Sequence, residues 1–253
     1  MVITLTSDFG TVDGFAGALK GVIARECPGA TIVDITHDVA PQDVVGGAFA
    51  LAQAARFFPT GTVHVAVVDP GVGSARRALI VEHETQRFVG PDNGLLSLAA
   101  PPAHSRAHVV DRLPGDWQVH PTFHGRDVFA RVAARLAAGD PVTSFASAQV
   151  NPIDITRPAT EETRGTVAGE VFHVDHFGNL VTNLPNARSE GAVVAIGERT
   201  TDVRRTYADV APGEVVAYPG SAGFVEIAVR DGSAARALGL ARGARVTLER
   251  RRA

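Results

Sequence analysis

The chain has 253 residues, enough for one large domain or two modest ones with an ample core. Hydrophobic residues make up 45% and charged residues 20%, the balance of an ordinary soluble globular enzyme. A net charge of −3 gives no electrostatic case for a nucleic-acid or anionic-membrane partner.

The first half alternates. Val2–Thr6 is a short β-rich run, and Phe15–Arg25 carries apolar residues at helical spacing. Thr31–Ile35 is again strand-like. Val44–Phe57 is Ala-rich and helical, stopped by Pro59 and Gly61, and Thr62–Val68 is densely β-branched. This β-α-β-α-β order predicts a mostly parallel sheet with flanking helices. Leu79–Glu84 and Gln86–Val89 read as further strands, and Val128–Ala138 as a helix ending at Gly139-Asp140-Pro141. Composition shifts around Asn151–Pro158, where "NPIDITRP" reads as an extended linker. Beyond it, Gly165–Val174, Ala192–Ile196, Glu214–Ala217, Phe224–Val229 and Arg245–Leu248 are short β-type runs, with one helical piece at Ser233–Leu240. The expected organisation is an α/β domain over 1–152, a linker over 153–163 and a smaller, mainly antiparallel, barrel-like β domain over 164–253.

The single cysteine, Cys27, excludes an intrachain disulfide and reads as a small buried hydrophobe. The N-terminus, "MVITLTSDFG", runs directly into a strand without the marks of a signal peptide. No apolar stretch reaches bilayer-spanning length, so the expected location is the cytoplasm. The basic end, Glu249-Arg250-Arg251-Arg252, reads as a solvated tail.

Each of the first three strands ends in polar residues: Ser7-Asp8-Phe9-Gly10, Thr36-His37-Asp38 and Asp69-Pro70-Gly71. Ligands of open α/β sheets sit outside the carboxyl ends of the strands. Asp8, Asp38 and Asp69 could each cap a helix or turn. Three together, with His37 and Arg76 nearby, point to a site. The stretch "VVDPGVGSARR" at 67–77 admits three readings: a phosphate-binding turn, a salt bridge holding a loop, or part of an active site. It lacks P-loop spacing and does not open a helix, which argues against a nucleoside triphosphate. No Cys/His cluster and no His-Glu-x-x-His motif is present among the nine histidines, and no Gly-x-Ser-x-Gly elbow. No metal and no cofactor is therefore expected. Asp69, Arg76 and His124 remain. A carboxylate, a guanidinium and an imidazole can hold and polarise one water, and an Asp-Arg pair can equally be structural.

The chain resembles the S-adenosylmethionine hydroxide adenosyltransferase (SAM hydrolase) family, relatives of the bacterial fluorinases and chlorinases. The resemblance runs through "TSDFG" (6–10), "DITHDVAPQDV" (34–44), "VVDPGVGSARR" (67–77), "GPDNGLLS" (90–97), "TFHGRDVFA" (122–130), "VDHFGNLVTN" (174–183) and "GSAGFVEIAVRDGSAA" (220–235). It implies attack of water on the 5′ carbon of S-adenosylmethionine (SAM), releasing adenosine and methionine, with Asp69, Arg76 and His124 handling the water. It also implies Asp8 at the ribose hydroxyls, Asp175 and Ser221 at the methionine amine, Asn179 at adenine, and Phe177 and Tyr207 flanking adenine. It implies a homotrimer, in which Asp8 and Asp69 of one subunit meet Asp175 and Ser221 of a neighbour. The halogenases have a hydroxylated aromatic in place of Asp69 and a small hydroxyl in place of Gly125, which favours water over halide here. Ala222 follows Ser221 where halogenases have an arginine for the methionine carboxylate, and Gln42 replaces a large aromatic. A SAM- or adenosine-sensing module without turnover, or a halogenase of the same fold, are the alternatives.

Overall fold

The computed structural model describes residues 1–155 and 158–250, so Thr156 and Arg157 of the expected linker and the last three residues lie outside the described residues. The chain forms two compact units, Met1–Ile155 and Thr156–Ala253.

In the first unit, β1 (Val2–Ser7), α1 (Phe15–Glu26), β2 (Thr31–Thr36), α2 (Val44–Ala55) and β3 (Val63–Val67) follow the expected alternation. β4 (Ala78–His83) and β5 (Gln86–Pro91) form a hairpin, followed by β6 (Ser105–Val110), α3 (Ala130–Ala138) and β7 (Ala146–Val150). The sheet order is β2-β1-β3-β5-β4-β6-β7. The pairs β1–β2, β1–β3 and β3–β5 are parallel; the β4, β6 and β7 side is antiparallel. The parallel half thus carries the three strands whose carboxyl ends are polar. β6 and β7 have no counterpart in the sequence reading.

β3 shows how the layers are built. Val63, Val65 and Val67 face a core shared with Leu19, Ile23, Phe129 and Leu136 of the α1/α3 side. Ala66 and Val68 face Ala48, Leu51 and Phe88 on the α2 side. Strands covered on both faces carry such near-continuous apolar runs. Asp43 caps α2, accepting from Gly46 N–H at 3.0 Å. Cys27 is buried and free, as expected.

The second unit contains β8 (Glu161–Thr163), β9 (Thr166–Val174), β10 (Leu180–Pro185), β11 (Ala192–Ile196), β12 (Arg199–Asp202), β13 (Val215–Pro219), β14 (Phe224–Val229), α4 (Ala234–Leu238) and β15 (Arg245–Arg250). All named pairings are antiparallel, in the order β12-β11-β15-β9-β10-β14-β13, with β8 beside β9. Val203, just past β12, bridges Ala217 of β13, so the sheet nearly closes into a barrel. Its core includes Val171, Leu180, Val194, Ile227 and Leu248. Glu249 and Arg250 extend β15 instead of joining a solvated tail. No helix among the described residues is long and apolar enough to cross a membrane.

His64 of β3 is the exception in an apolar strand. It is fully buried, its Nδ1 lies 2.7 Å from Thr4 Oγ1, and its ring stacks on Phe88 at 4.7 Å. Burial lowers its pKa to about 4. The folded state therefore keeps the ring neutral while the unfolded chain protonates it below about 6.5. Stability is expected to fall by roughly 3 kcal/mol as pH drops from 6.5 to 4 on this account. Urea midpoints at pH 7.5 and 4.5 should fall less in a Thr4→Val/His64→Phe double variant than in the wild type; an equal fall would remove His64 as the cause.

Candidate functional site

The buried run of β3 delivers Asp69 to the carboxyl edge of the sheet. The chain then turns twice, with Val72 N–H donating to Asp69 C=O at 3.2 Å and Ser74 N–H to Gly71 C=O at 3.1 Å. Ser74 Oγ donates to Gly71 C=O at 2.6 Å and accepts from Arg76 N–H at 3.2 Å. This double turn folds Arg76 back over Asp69. Arg76 Nε donates to both carboxylate oxygens at 2.9 and 3.0 Å, and Nη2 donates to Oδ2 at 2.5 Å. The Asp69 and Arg76 side chains are only 5% and 10% exposed. Arg76 also lies over the Phe129 ring, 5.2 Å from its centroid.

The third residue arrives from 48 positions away. Arg76 Nη2 lies 2.8 Å from His124 Nδ1. Guanidinium only donates, so Nδ1 must accept and the ring proton resides on Nε2. Burial holds the His124 pKa below the ordinary imidazole value; the Arg76 charge adds to the depression, against Asp69 and Asp127. His124 therefore presents a neutral ring with an N–H to offer.

His124 precedes a π-type turn at Gly125–Phe129, which leads into α3. Single π-turns of this kind recur at functional sites. Gly125 is buried where a Cβ would lie 3.2 Å from Phe9 Cζ and 3.3 Å from Val67 Cγ1, so a larger residue crowds both. Phe9, Phe15 and Phe123 form an aromatic cluster with centroids 5.5 to 6.0 Å apart. Asp127 fixes the approach to this segment: Arg126 donates to it at 2.6 and 2.8 Å, and it accepts His120 N–H at 2.9 Å. Burial alone would raise its pKa, but Arg126 and the His120 N–H outweigh that and hold it low. Arg77 faces away from the site. Its Nε donates to Asp92 at 2.6 Å and its Nη2 to Asn151 C=O at 2.8 Å.

Asp8, at the end of β1, accepts Gln42 N–H on Oδ2 at 2.8 Å. In the second unit, Asp175 and Asn179 close one turn. Asn179 N–H donates to Asp175 Oδ1 and its side-chain amide to Oδ2, both at 2.8 Å. Phe177 projects from that turn, 74% exposed. Ser221 lies exposed in the turn between β13 and β14. Tyr207 packs against Tyr218 at 6.4 Å, and Tyr218 O–H donates to Glu226 at 2.9 Å. Glu226 is half-buried; burial pushes its carboxyl pKa up, the Asp175 charge adds, and the Tyr218 bond opposes. The sequence reading did not single out Glu226 or Tyr218. The signal available was a lone carboxylate in the apolar alternation "FVEIAV".

A mixed sheet with a carboxylate–guanidinium–imidazole cluster at the carboxyl end of a central strand, paired in sequence with an antiparallel barrel-like unit, defines a two-part α/β–β class. Two family models match it in tandem: the SAM hydroxide adenosyltransferase N-terminal domain over residues 3–146 and the C-terminal domain of the same family over 169–247. The chain belongs to this family. It is 43% identical over 251 residues to an (R)-S-adenosyl-L-methionine hydrolase of Thermus thermophilus, covering 96% of this chain and 97% of that one. A fluorinase of an Actinoplanes strain is more distant, at 30% over 271 residues and 90% of each chain. The crystal structure of a conserved protein from Thermotoga maritima superposes with a TM-score of 0.90 at 34% identity, covering 99% of this chain and 100% of that one.

Gly73 adopts φ 80°, and a Cβ there would stand 3.1 Å from Pro121 C=O. The double turn thus packs directly on the segment leading to His124. Gly73→Ala is expected to cost about 1–2 kcal/mol through strain and crowding together. Gly115→Ala, in open space without positive φ, should stay within about 0.5 kcal/mol of wild type. Chemical denaturation of both variants checks the contrast.

Proposed function

We propose that the protein hydrolyses S-adenosylmethionine to adenosine and methionine, with Asp69, Arg76 and His124 presenting the water. The observation that carries this reading is the Asp69–Arg76–His124 hydrogen-bonded cluster at a strand end, with its ion pair held almost out of solvent. Identity of 43% to an (R)-S-adenosyl-L-methionine hydrolase supports the substrate class, and the (R) sulfonium epimer as the form turned over.

The chemistry suits those groups. The water oxygen forms a bond to the 5′ carbon as the carbon–sulfur bond breaks. The bonding pair stays on sulfur, which leaves as a neutral thioether and needs no acid. One proton must leave the water. The Asp69 carboxylate accepts it for release to solvent, while His124 Nε2–H donates to the water oxygen and fixes its lone pair. Arg76 holds both partners in place and keeps His124 in the donating tautomer. Asp69 also sets negative charge near a cationic substrate.

Asp8 serves as the ribose acceptor in this reading. Asp175, Ser221, Asn179, Phe177 and Tyr207 serve the amino-acid and adenine ends, and the working form is a homotrimer. Light scattering at micromolar concentration should return three times the mass of one chain; a monomeric mass would remove the trimer.

The reaction itself is tested by incubating the protein with resolved SAM epimers in oxygen-18 water, with and without chloride, and weighing the nucleoside. The expected product is adenosine carrying the heavy oxygen, formed from the (R) epimer and indifferent to chloride. Asp69→Ala and Arg76→Ala should slow its release by on the order of a hundredfold or more while SAM still binds. A 5′-chloro nucleoside would indicate a halogenase, and bound, intact SAM a sensing module.

A further inference from the structure

A second buried polar chain lies at the carboxyl ends of β1 and β2. Ser7 and His37 are 1% and 4% exposed. Ser7 Oγ lies 2.7 Å from His37 Nδ1, and His37 Nε2 lies 3.1 Å from Asp34 Oδ1. Lys20, from α1, donates to Asp34 Oδ2 at 2.5 Å. The pairing of β1 with β2 makes this contact possible. Leu5 pairs with Asp34 but Thr6 pairs with Thr36, so Ile35 is an extra residue at a bulge. A bulge re-aims the side chains that follow it, and here His37 is brought to Ser7.

Donor counting orders the chain. Asp34 only accepts, so His37 Nε2 carries the proton it shares with Asp34. In the neutral ring Nδ1 then accepts from Ser7 O–H, and Ser7 Oγ accepts Phe9 N–H at 3.3 Å. Burial would raise the Asp34 pKa, but the Lys20 and His37 hydrogen bonds outweigh it and keep the carboxyl low. The Ser-His-Asp composition is not that of a nucleophile. Ser7 is covered, and its oxygen is occupied by the backbone of the next turn.

What the chain adjoins is Asp8, the residue after Ser7. Three further bonds tie the 7–10 segment to the 37–42 segment: Gly10 N–H to His37 C=O at 2.8 Å, Val39 N–H to Ser7 C=O at 3.3 Å, and Gln42 N–H to Asp8 Oδ2 at 2.8 Å. Gln42 makes its bond from a left-handed backbone, φ 65°. A non-glycine residue persists there only where its surroundings impose it. His37 belongs both to the side-chain chain and to the backbone cross-brace, as does Ser7, which it touches. We propose that His37, fixed by Asp34 and Lys20 and acting through Ser7, is the positioning residue for the Asp8 carboxylate and so sets substrate affinity. This rests on the reading of Asp8 as a substrate ligand.

The test is a double-variant cycle on adenosine formation from SAM. His37→Phe should raise KM roughly tenfold with kcat changed less than about threefold. His37→Asn, which keeps a polar atom for Ser7, should recover most of the loss. In an Asp8→Asn background His37→Phe should add nothing, because the carboxylate it places is gone. A wild-type KM for His37→Phe beside a raised KM for Asp8→Asn overturns the positioning role alone. Full additivity in the double variant overturns it as well, as the mark of a merely structural residue. A wild-type KM for Asp8→Asn removes the Asp8 reading and this proposal with it. If His37→Phe does not fold, Asp34→Ala at its exposed site enters the same cycle with the same expectations.

Discussion

The interaction on which the site depends is the ion pair between Asp69 and Arg76. Three N–H···O contacts, all at 3.0 Å or less, join them with both side chains nearly out of water. Such a pair is a poor stabiliser, because desolvating two charges offsets most of their attraction. Losing one partner is another matter: a buried, uncompensated charge costs about 3–5 kcal/mol. The pair is thus all-or-none, and what it yields is geometry. Once the guanidinium fork is committed to Asp69, Nη2 has one direction left, and His124 Nδ1 lies along it.

That commitment propagates outward through the backbone. The double turn at 69–76 sets where Arg76 folds back, and it packs on Pro121 C=O without room for a side chain at Gly73. Asp127 ties the same segment from the other side through His120 N–H. Phe9 and Val67 crowd Gly125. The His124 segment is therefore held against the first and third strands and its own loop. Small volume changes in such a close-packed region are transmitted to the imidazole.

The legible parts of the fold were those where burial alone dictates sequence. β1, β3 and the helices between them show dense β-branched runs and apolar spacing, and their polar carboxyl ends announced a site. β7 reads Ala-Ser-Ala-Gln-Val, an alternation carried by alanines and exposed at its centre, and β6 begins Ser-Arg-Ala-His; neither opens on the β-branched or aromatic residues that mark a strand. β10 holds Thr182 and Asn183, buried with partners found only in the fold: Thr182 Oγ1 donates to Val225 C=O and Asn183 to Pro158 C=O, both at 2.7 Å. Among site residues, Asp69 and Arg76 could be paired on paper. Nothing local distinguished Arg76 from Arg77, which turns to Asp92. His124 was left over by elimination and then marked by the family resemblance; its link to Arg76 spans 48 positions and no local pattern encodes it. The partnership of Ser7 with His37 depends on a one-residue slip in strand register, which no periodicity encodes.

Three of the histidines on the strands and loops around this site are sorted by their hydrogen bonds into different capabilities. His64 is sealed inside the sheet with its Nδ1 on Thr4 and its charge suppressed by burial. His37 has both nitrogens engaged, one by Ser7 and one by Asp34, so it can orient a neighbour but has no nitrogen to give a ligand. His124 has Nδ1 taken by Arg76, and no hydrogen bond engages its Nε2 among the described residues. The same rule, that a donor-only or acceptor-only partner fixes the tautomer, leaves His37 with both nitrogens spent and His124 with an N–H to offer. Residue type alone could not make that division; it follows from which nitrogen each neighbour consumes.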